Sequence, residues 1–148
     1  MKKIMSVIML ALVAICGSVM FSSCGDDDKS YDSQPTVTTT EYDVKAAYAN
    51  ITGKVVWNDN KSSKDAGFYV WGSVNKDKVF YPAKATNNDV FTTLTCKVEF
   101  TTNAGNRVIN IYDPGETVYY QAVVRNVSYN KSKTDVMGNT MNFTVPNN

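Results

Sequence analysis

Between Thr36 and Pro146 the hydrophobic residues fall in short runs with a period of two, and no stretch carries the spacing of an amphipathic helix. Runs rich in Val, Thr, Tyr and Phe are separated by clusters of Asn, Asp, Gly, Ser and Lys. β-Branched and aromatic side chains suit a pleated surface, and a period of two puts the apolar side chains of each strand on one face. Such faces must be buried, and without helices to cover them they cover one another. The pattern predicts an all-β fold of antiparallel sheets packed face to face, a β-sandwich. At 148 residues the chain has room for one ordinary domain. Its 43% hydrophobic content, with 2 Trp, 9 Tyr and 6 Phe, is enough to fill a core.

Strands are expected at Val37 to Thr40, Val44 to Trp57, Gly67 to Ser73, Val79 to Pro82, Phe91 to Thr101, Val108 to Ile111, Thr117 to Asn126 and Asn139 to Val145. In the second of these, Ala49, Ile51, Gly53, Val55 and Trp57 share one face, opposite Thr52, Lys54 and Val56. The stretch Asp43 to Ala49, which runs into this strand, is the least strand-like because alanine packs poorly in a sheet. Gly67 and Gly72 bracket Phe68-Tyr69-Val70-Trp71. That strand is either buried on both faces or displays Tyr69 and Trp71 as an aromatic pair. Pro114-Gly115 signals a type II turn, since proline presets the first central torsion and glycine accepts a positive φ at the second. After it, Val118, Tyr120, Ala122 and Val124 alternate with Tyr119, Gln121, Val123 and Arg125. The polar stretch Asn58 to Asp65 is expected to project as an exposed loop. Asn87 to Gly105 is longer and more polar than a minimal sandwich needs, leaving room for an extra hairpin or an altered edge. Lys97 and Glu99 there would discourage edge-to-edge pairing.

The first 24 residues read differently. Lys2 and Lys3 precede an apolar run from Ile4 to Phe21, and Ser22-Ser23-Cys24 follows. This segment resembles a bacterial lipoprotein signal peptide, with Phe21-Ser22-Ser23-Cys24 similar to a lipobox in which Phe21 replaces the usual leucine. The resemblance implies cleavage before Cys24 and acylation of that cysteine, and several acyl chains would anchor the protein stably in a membrane. A retained transmembrane helix is the competing reading, at the lower length limit for spanning a bilayer. Asp26, Asp27 and Asp28 resemble the export signal that Bacteroidetes-type lipoproteins carry to the outer face of the outer membrane; without that role they form a solvated, self-repelling tether. The expected organisation is a signal peptide at 1–23, a lipidated cysteine with a flexible acidic tether at 24–35, and the sandwich at 36–148.

Charge and composition exclude several function classes. Without residues 1–23 the chain loses Lys2 and Lys3 but no acid, so its formal charge moves from +1 to −1. No basic cluster remains for a phosphate backbone, and no nucleic-acid partner is expected. There is no histidine, which rules out His triads, His metal sites and His acid–base chemistry. Cys16 falls in the signal peptide and Cys24 is the lipidation site, leaving Cys96 alone; its alternation with Leu94 and Val98 marks it as a small buried hydrophobe. Glu41, Glu99 and Glu116 are the only glutamates. Asp59, Asp65, Asp77, Asp89, Asp113 and Asp135 stand at turns, where aspartate serves the backbone. Asp59-Asn60 and Asn87-Asn88-Asp89 lack the spacing of a calcium loop. No enzyme activity, metal or cofactor is expected.

Three further stretches join the Pro-Gly turn and the strand ending at Asn126. Gly138-Asn139-Thr140-Met141-Asn142-Phe143-Thr144 has the form of a last strand, and Thr52-Gly53-Lys54-Val55 and Asp65-Ala66-Gly67-Phe68-Tyr69-Val70 match a second and a third. Together they resemble the fibronectin type III-like, immunoglobulin-like domains of bacterial surface proteins, over most of Val37 to Val145. Two departures stand out. Val118 occupies the position of the family's corner tyrosine, so that hydroxyl bond is absent or supplied by Tyr119 or Tyr120, and Gln121 replaces the usual arginine.

The expected function is a lipid-anchored cell-envelope protein, surface-exposed on the outer membrane, that presents a noncatalytic sandwich for structural or protein–protein interaction. The partner would be an envelope protein. The alternative is glycan binding, with Trp57, Tyr69, Trp71, Tyr81 or Tyr112 stacking on sugar faces. Two aromatics exposed together beside an Asn or Asp would favour the glycan.

Overall fold

The computed structural model describes residues 33–58 and 65–147. The expected signal peptide, Cys24, Asp26 to Asp28, and most of the Asn58 to Asp65 loop lie outside the described residues. The described chain is all β: β1 (Thr36–Val44), β2 (Tyr48–Val56), β3 (Asp65–Gly72), β4 (Val79–Pro82), β5 (Lys84–Asn87), β6 (Thr92–Glu99), β7 (Thr101–Ala104), β8 (Arg107–Asn110), β9 (Thr117–Tyr129) and β10 (Ser132–Thr144). One four-stranded sheet has the order β1-β2-β6-β5, a second has β10-β9-β3-β4, and β7-β8 form a separate two-stranded sheet. Every pairing is antiparallel.

The two larger sheets share one core, giving a sandwich-like arrangement. Ala49, Ile51, Val55, Leu94 and Val98 of the first sheet meet Phe68, Val70, Val118, Tyr120, Ala122 and Val124 of the second. The expected alternation in β2 holds, with Ala49, Ile51, Gly53 and Val55 buried. Gly53 sets the spacing at the centre, since a Cβ there would lie 2.8 Å from Ala122 Cβ and 3.3 Å from the Phe68 ring. A row of aromatic contacts runs through the core from Phe100 to Phe143 (6.0 Å between centroids), Phe143 to Tyr120 (6.0 Å) and Tyr120 to Phe68 (6.3 Å). These are spacings at which ring quadrupoles attract.

Several strand boundaries differ from expectation. The expected strand at Val44 to Trp57 is interrupted, because the chain reverses at Lys45 to Ala47, where Lys45 N–H bonds Tyr48 C=O at 2.7 Å. An Asp43–Lys45 ion pair at 3.0 Å and two alanines occupy this turn, and β1 accordingly continues to Val44. The expected strands ending at Asn126 and beginning at Asn139 are the inner parts of a longer hairpin. Ser132 pairs with Tyr129, and Asn130 (φ 48°) and Lys131 (φ 62°) form the two-residue loop. Two positive φ values define a type I′ turn, whose twist matches that of its strands. The extra hairpin allowed for in Asn87 to Gly105 is β7-β8, displaced toward the C-terminus, and the expected strand at Val108 to Ile111 pairs with β7 and joins neither main sheet. The Pro114-Gly115 turn is as expected: Gly115 has φ +83° and Glu116 N–H bonds Asp113 C=O at 3.0 Å. The Tyr120 hydroxyl reaches Met141 Sδ at 3.8 Å, so it does not make the corner tyrosine's backbone bond.

Candidate functional site

The strand directions define two ends of the molecule. Thr36 pairs with Val56, and Val55 with Thr92, so the start of β1, the end of β2 and the β5-β6 turn lie together at the end where the chain enters. Tyr48 pairs with Glu99 at the opposite end, from which β7-β8 projects. The seven residue steps between Thr92 and Glu99 correspond to about 23 Å at about 3.3 Å per residue.

At the entry end, Val56, Trp57 and Asn58 face Asn87 to Thr92 across an open recess of about 520 Å³. Internal hydrogen bonds fix its walls. The Trp57 indole N–H donates to Thr92 Oγ1 at 2.7 Å, and the Thr92 hydroxyl donates to Asn87 Oδ1 at 2.5 Å. Asn88 Oδ1 accepts the N–H groups of Val90 (2.8 Å) and Phe91 (2.7 Å), an Asx turn closed by Asn88 N–H to Phe91 C=O at 3.0 Å. The Lys54 ammonium lies 4.3 Å from the Phe91 ring centroid. Asn58 ties the incoming chain to this end, its Nδ2 donating to Gln34 C=O and Thr36 Oγ1, both at 3.0 Å, while Ser33 Oγ donates to Asn58 C=O.

The outer face of the second sheet carries the other aromatic group. Trp71 stacks on Tyr119 with centroids 5.7 Å apart and an interplanar angle of 15°, and the Lys78 ammonium lies 4.3 Å over the Trp71 ring. Tyr69 meets Phe80 edge-on at 5.9 Å, with the Arg125 guanidinium 4.3 Å over Phe80. The Tyr69 hydroxyl donates to Asp135 Oδ2 at 3.1 Å, and Asp135 Oδ1 accepts Asn126 N–H at 3.1 Å. Burial, reinforced by the Asp135 carboxylate, raises the Tyr69 pKa above the ordinary phenol value. Tyr69 and Trp71 are half-buried, whereas Phe68 and Val70 are fully buried.

The five aromatics singled out in the sequence therefore occupy three places. Trp57 lines the recess while packing, half-buried, against the edge of the core. Tyr69 and Trp71 share the outer face of β3. Tyr112 is buried, at 7% exposure, and Tyr81 packs partly buried against the same core. Burial, with Tyr81 beside it, pushes the Tyr112 hydroxyl strongly upward. Sequence reasoning did not pair Trp57 with Phe91. The available signal was Asn87-Asn88-Asp89, two residues ahead of Phe91 and a strand, a pattern suited to an Asx turn.

Glu116, Cys96, Lys97 and Glu99 each have partners or packing within the sheets. Glu116 is buried, with Oε2 accepting Asp113 N–H at 2.8 Å and Oε1 accepting Val74 N–H at 3.2 Å. Cys96 is half-buried against the core, and burial pushes its thiol up to about 11, which suppresses the nucleophilic thiolate near neutrality. Lys97 and Glu99 pair at 2.7 Å on the part of β6 that extends beyond β5. No group of three or more Cys, Asp or Glu side chains suited to a metal ion occurs among the described residues.

The projecting hairpin is exposed along both strands. Val108 is 69% exposed, Ile109 48%, and the following Ile111 40%. Gly105, at φ +64°, begins the two-residue turn that pairs Ala104 with Arg107. In comparisons with known proteins, no family model, no curated protein and no solved structure matches this chain significantly.

Proposed function

We propose that this chain is a lipid-anchored cell-envelope protein, displayed on the outer membrane through Cys24, whose immunoglobulin-like, fibronectin type III-like sandwich has a noncatalytic role in binding or spacing other envelope proteins. The single observation that carries the reading is polarity: the chain enters at one end, and the exposed Val108, Ile109 and Ile111 stand at the other. A tether from Cys24 would present that hairpin away from the membrane. Isolated two-stranded hairpins gain little stability of their own, and exposed β-branched residues on one are suited to contact with a partner.

The strand orders support the immunoglobulin-like assignment. Numbered as A, B, E, D and G, F, C with an added C′, they correspond to β1-β2-β6-β5 and β10-β9-β3-β4, with β7-β8 inserted between E and F. The noncatalytic reading draws support from Glu116, Asp135 and Cys96, each engaged in packing or backbone hydrogen bonds or shielded from ionisation.

Two measurements test the proposal. Mass spectrometry of the N-terminal peptide from protein purified from bacterial envelopes should find an acylated Cys24, and Cys24→Ala should release the protein from the membrane. A photocrosslinker at Ile109 on intact cells should give a discrete adduct that Val108→Asp removes, whereas the same probe at Asn130, near the entry end, should not give it. An unmodified Cys24 would refute the anchor. Identical adducts from both positions, or none at Ile109, would refute the hairpin as the contact.

A further inference from the structure

We infer that the recess at the entry end is a binding site for a neutral saccharide, with Trp57 as its stacking platform. A pyranose ring offers an apolar face of C–H groups and a rim of hydroxyls that both donate and accept hydrogen bonds. The recess supplies a partner for each. Trp57, half-buried against the core, and Phe91 both line the recess, and the Lys54 ammonium lies over the Phe91 ring. Trp57 is held in place because its N–H is committed to Thr92, so little side-chain freedom remains to be lost on binding.

The polar rim is organised in the same way. The side-chain oxygens of Asn87 and Asn88 are occupied, by the Thr92 hydroxyl and by the N–H groups of Val90 and Phe91. Each carboxamide therefore keeps its NH₂ group as a donor. Asp89 lines the same recess and adds a carboxylate acceptor. A donor beside an acceptor matches a pair of neighbouring hydroxyls, and the opposite charges of Asp89 and of Lys54 over Phe91 leave no net charge to favour an ionic ligand over a neutral one. The volume of about 520 Å³ lies within the range of small-molecule sites, about 300–1,000 Å³. The same chemistry would serve a free oligosaccharide or the saccharide part of an envelope glycolipid. This inference goes beyond the proposed interaction role and does not depend on the anchor, so either can fail while the other stands.

The test is a titration of the full chain, ¹⁵N-labelled at tryptophan, followed through the two indole N–H signals. One arm uses neutral gluco-, galacto- and manno-oligosaccharides, and the other a delipidated O-polysaccharide made of neutral sugars, as the saccharide part of an envelope glycolipid. The expected result is a saturable shift of the Trp57 signal with Trp71 stationary, in at least one arm; which arm responds identifies the source. Trp57→Ala should abolish binding, and Asp89→Ala, a change at an exposed side chain, should weaken it by about fivefold or more. Should Trp57→Ala fail to fold, Asp89→Ala decides. No shift in either arm at millimolar saccharide, movement of Trp71 alone, or binding that Asp89→Ala leaves unchanged would overturn the inference.

Discussion

The hydroxyl of Thr39 accepts the backbone N–H of Ala122 at 2.9 Å, a buried bond between residues 83 positions apart in sequence. The register of β9 against β10 shifts between Met137 and Thr140, where Gly138 and Asn139 oppose Ala122. This bulge takes Ala122 N–H out of the β10 ladder, and Thr39 from β1 supplies the missing acceptor. Asn139 Oδ1 accepts Thr39 N–H at 3.0 Å and Gln121 Nε2 donates to Gly138 C=O at 2.8 Å, so β1, β9 and β10 are joined where the two sheets come together. Thr39→Val leaves a buried N–H without an acceptor and is expected to cost about 1–3 kcal/mol in urea denaturation. Thr39→Ser, which keeps the hydroxyl, should cost distinctly less.

Gly67 lets β4 approach β3. A Cβ there would lie 2.2 Å from Tyr81 C=O and 2.8 Å from the Phe80 ring. Because the nearest obstacle is backbone, Gly67→Ala should push the short edge strand away rather than be absorbed by a rotamer change. The expected cost is about 1–3 kcal/mol. Amide exchange in β4 should accelerate more than tenfold, while β2 remains protected in proportion to the loss of global stability.

The hairpin loop can be improved. Lys131 holds a left-handed conformation at φ 62°, where its Cβ is crowded, and Asn-Gly is a preferred type I′ pair. Lys131→Gly should raise stability by about 0.5–1 kcal/mol by chemical denaturation, and a loss would refute the turn assignment.

Alkaline pH should destabilise the fold. Burial raises the Cys96 thiol from 9.0 to about 11 and also raises the Tyr112 and Tyr120 hydroxyls. The unfolded chain therefore releases these protons first. Their contribution to stability is complete below the unfolded pKa values and falls as pH rises from about 9, through about 11 for the thiol. Thermal melts from pH 7 to pH 11 should show this decline, and Cys96→Val should remove its earliest part. A melting temperature that stays flat across the range would contradict the burial of these groups.

Local alternation made much of the architecture legible. β4 falls at Val79–Pro82 as expected, and the buried face of β2 and the Pro114-Gly115 turn also follow from the residues alone. The missed features arise from long-range pairing. Thr134 and Asp135 carry no strong apolar pattern, yet they extend β10 because the Asn130-Lys131 turn sets its register against β9. Lys84 to Asn87 is exposed throughout and becomes a strand by pairing with β6. The candidate site was half legible for the same reason. Trp57 could be singled out as an aromatic, but Phe91, 34 positions later, becomes its neighbour only through the pairing of β2 with β6.

The Phe100 carbonyl accepts both Ile111 N–H, at 2.8 Å, and Tyr112 N–H, at 3.2 Å. The chain thus leaves the body of the molecule and returns to it at one latch, and Thr101 to Asn110 forms an excursion that neither main sheet needs for its pairing. That stretch behaves as a cassette. Its length and sequence are free to vary, or to be exchanged for another loop by grafting, while the scaffold beneath keeps its geometry.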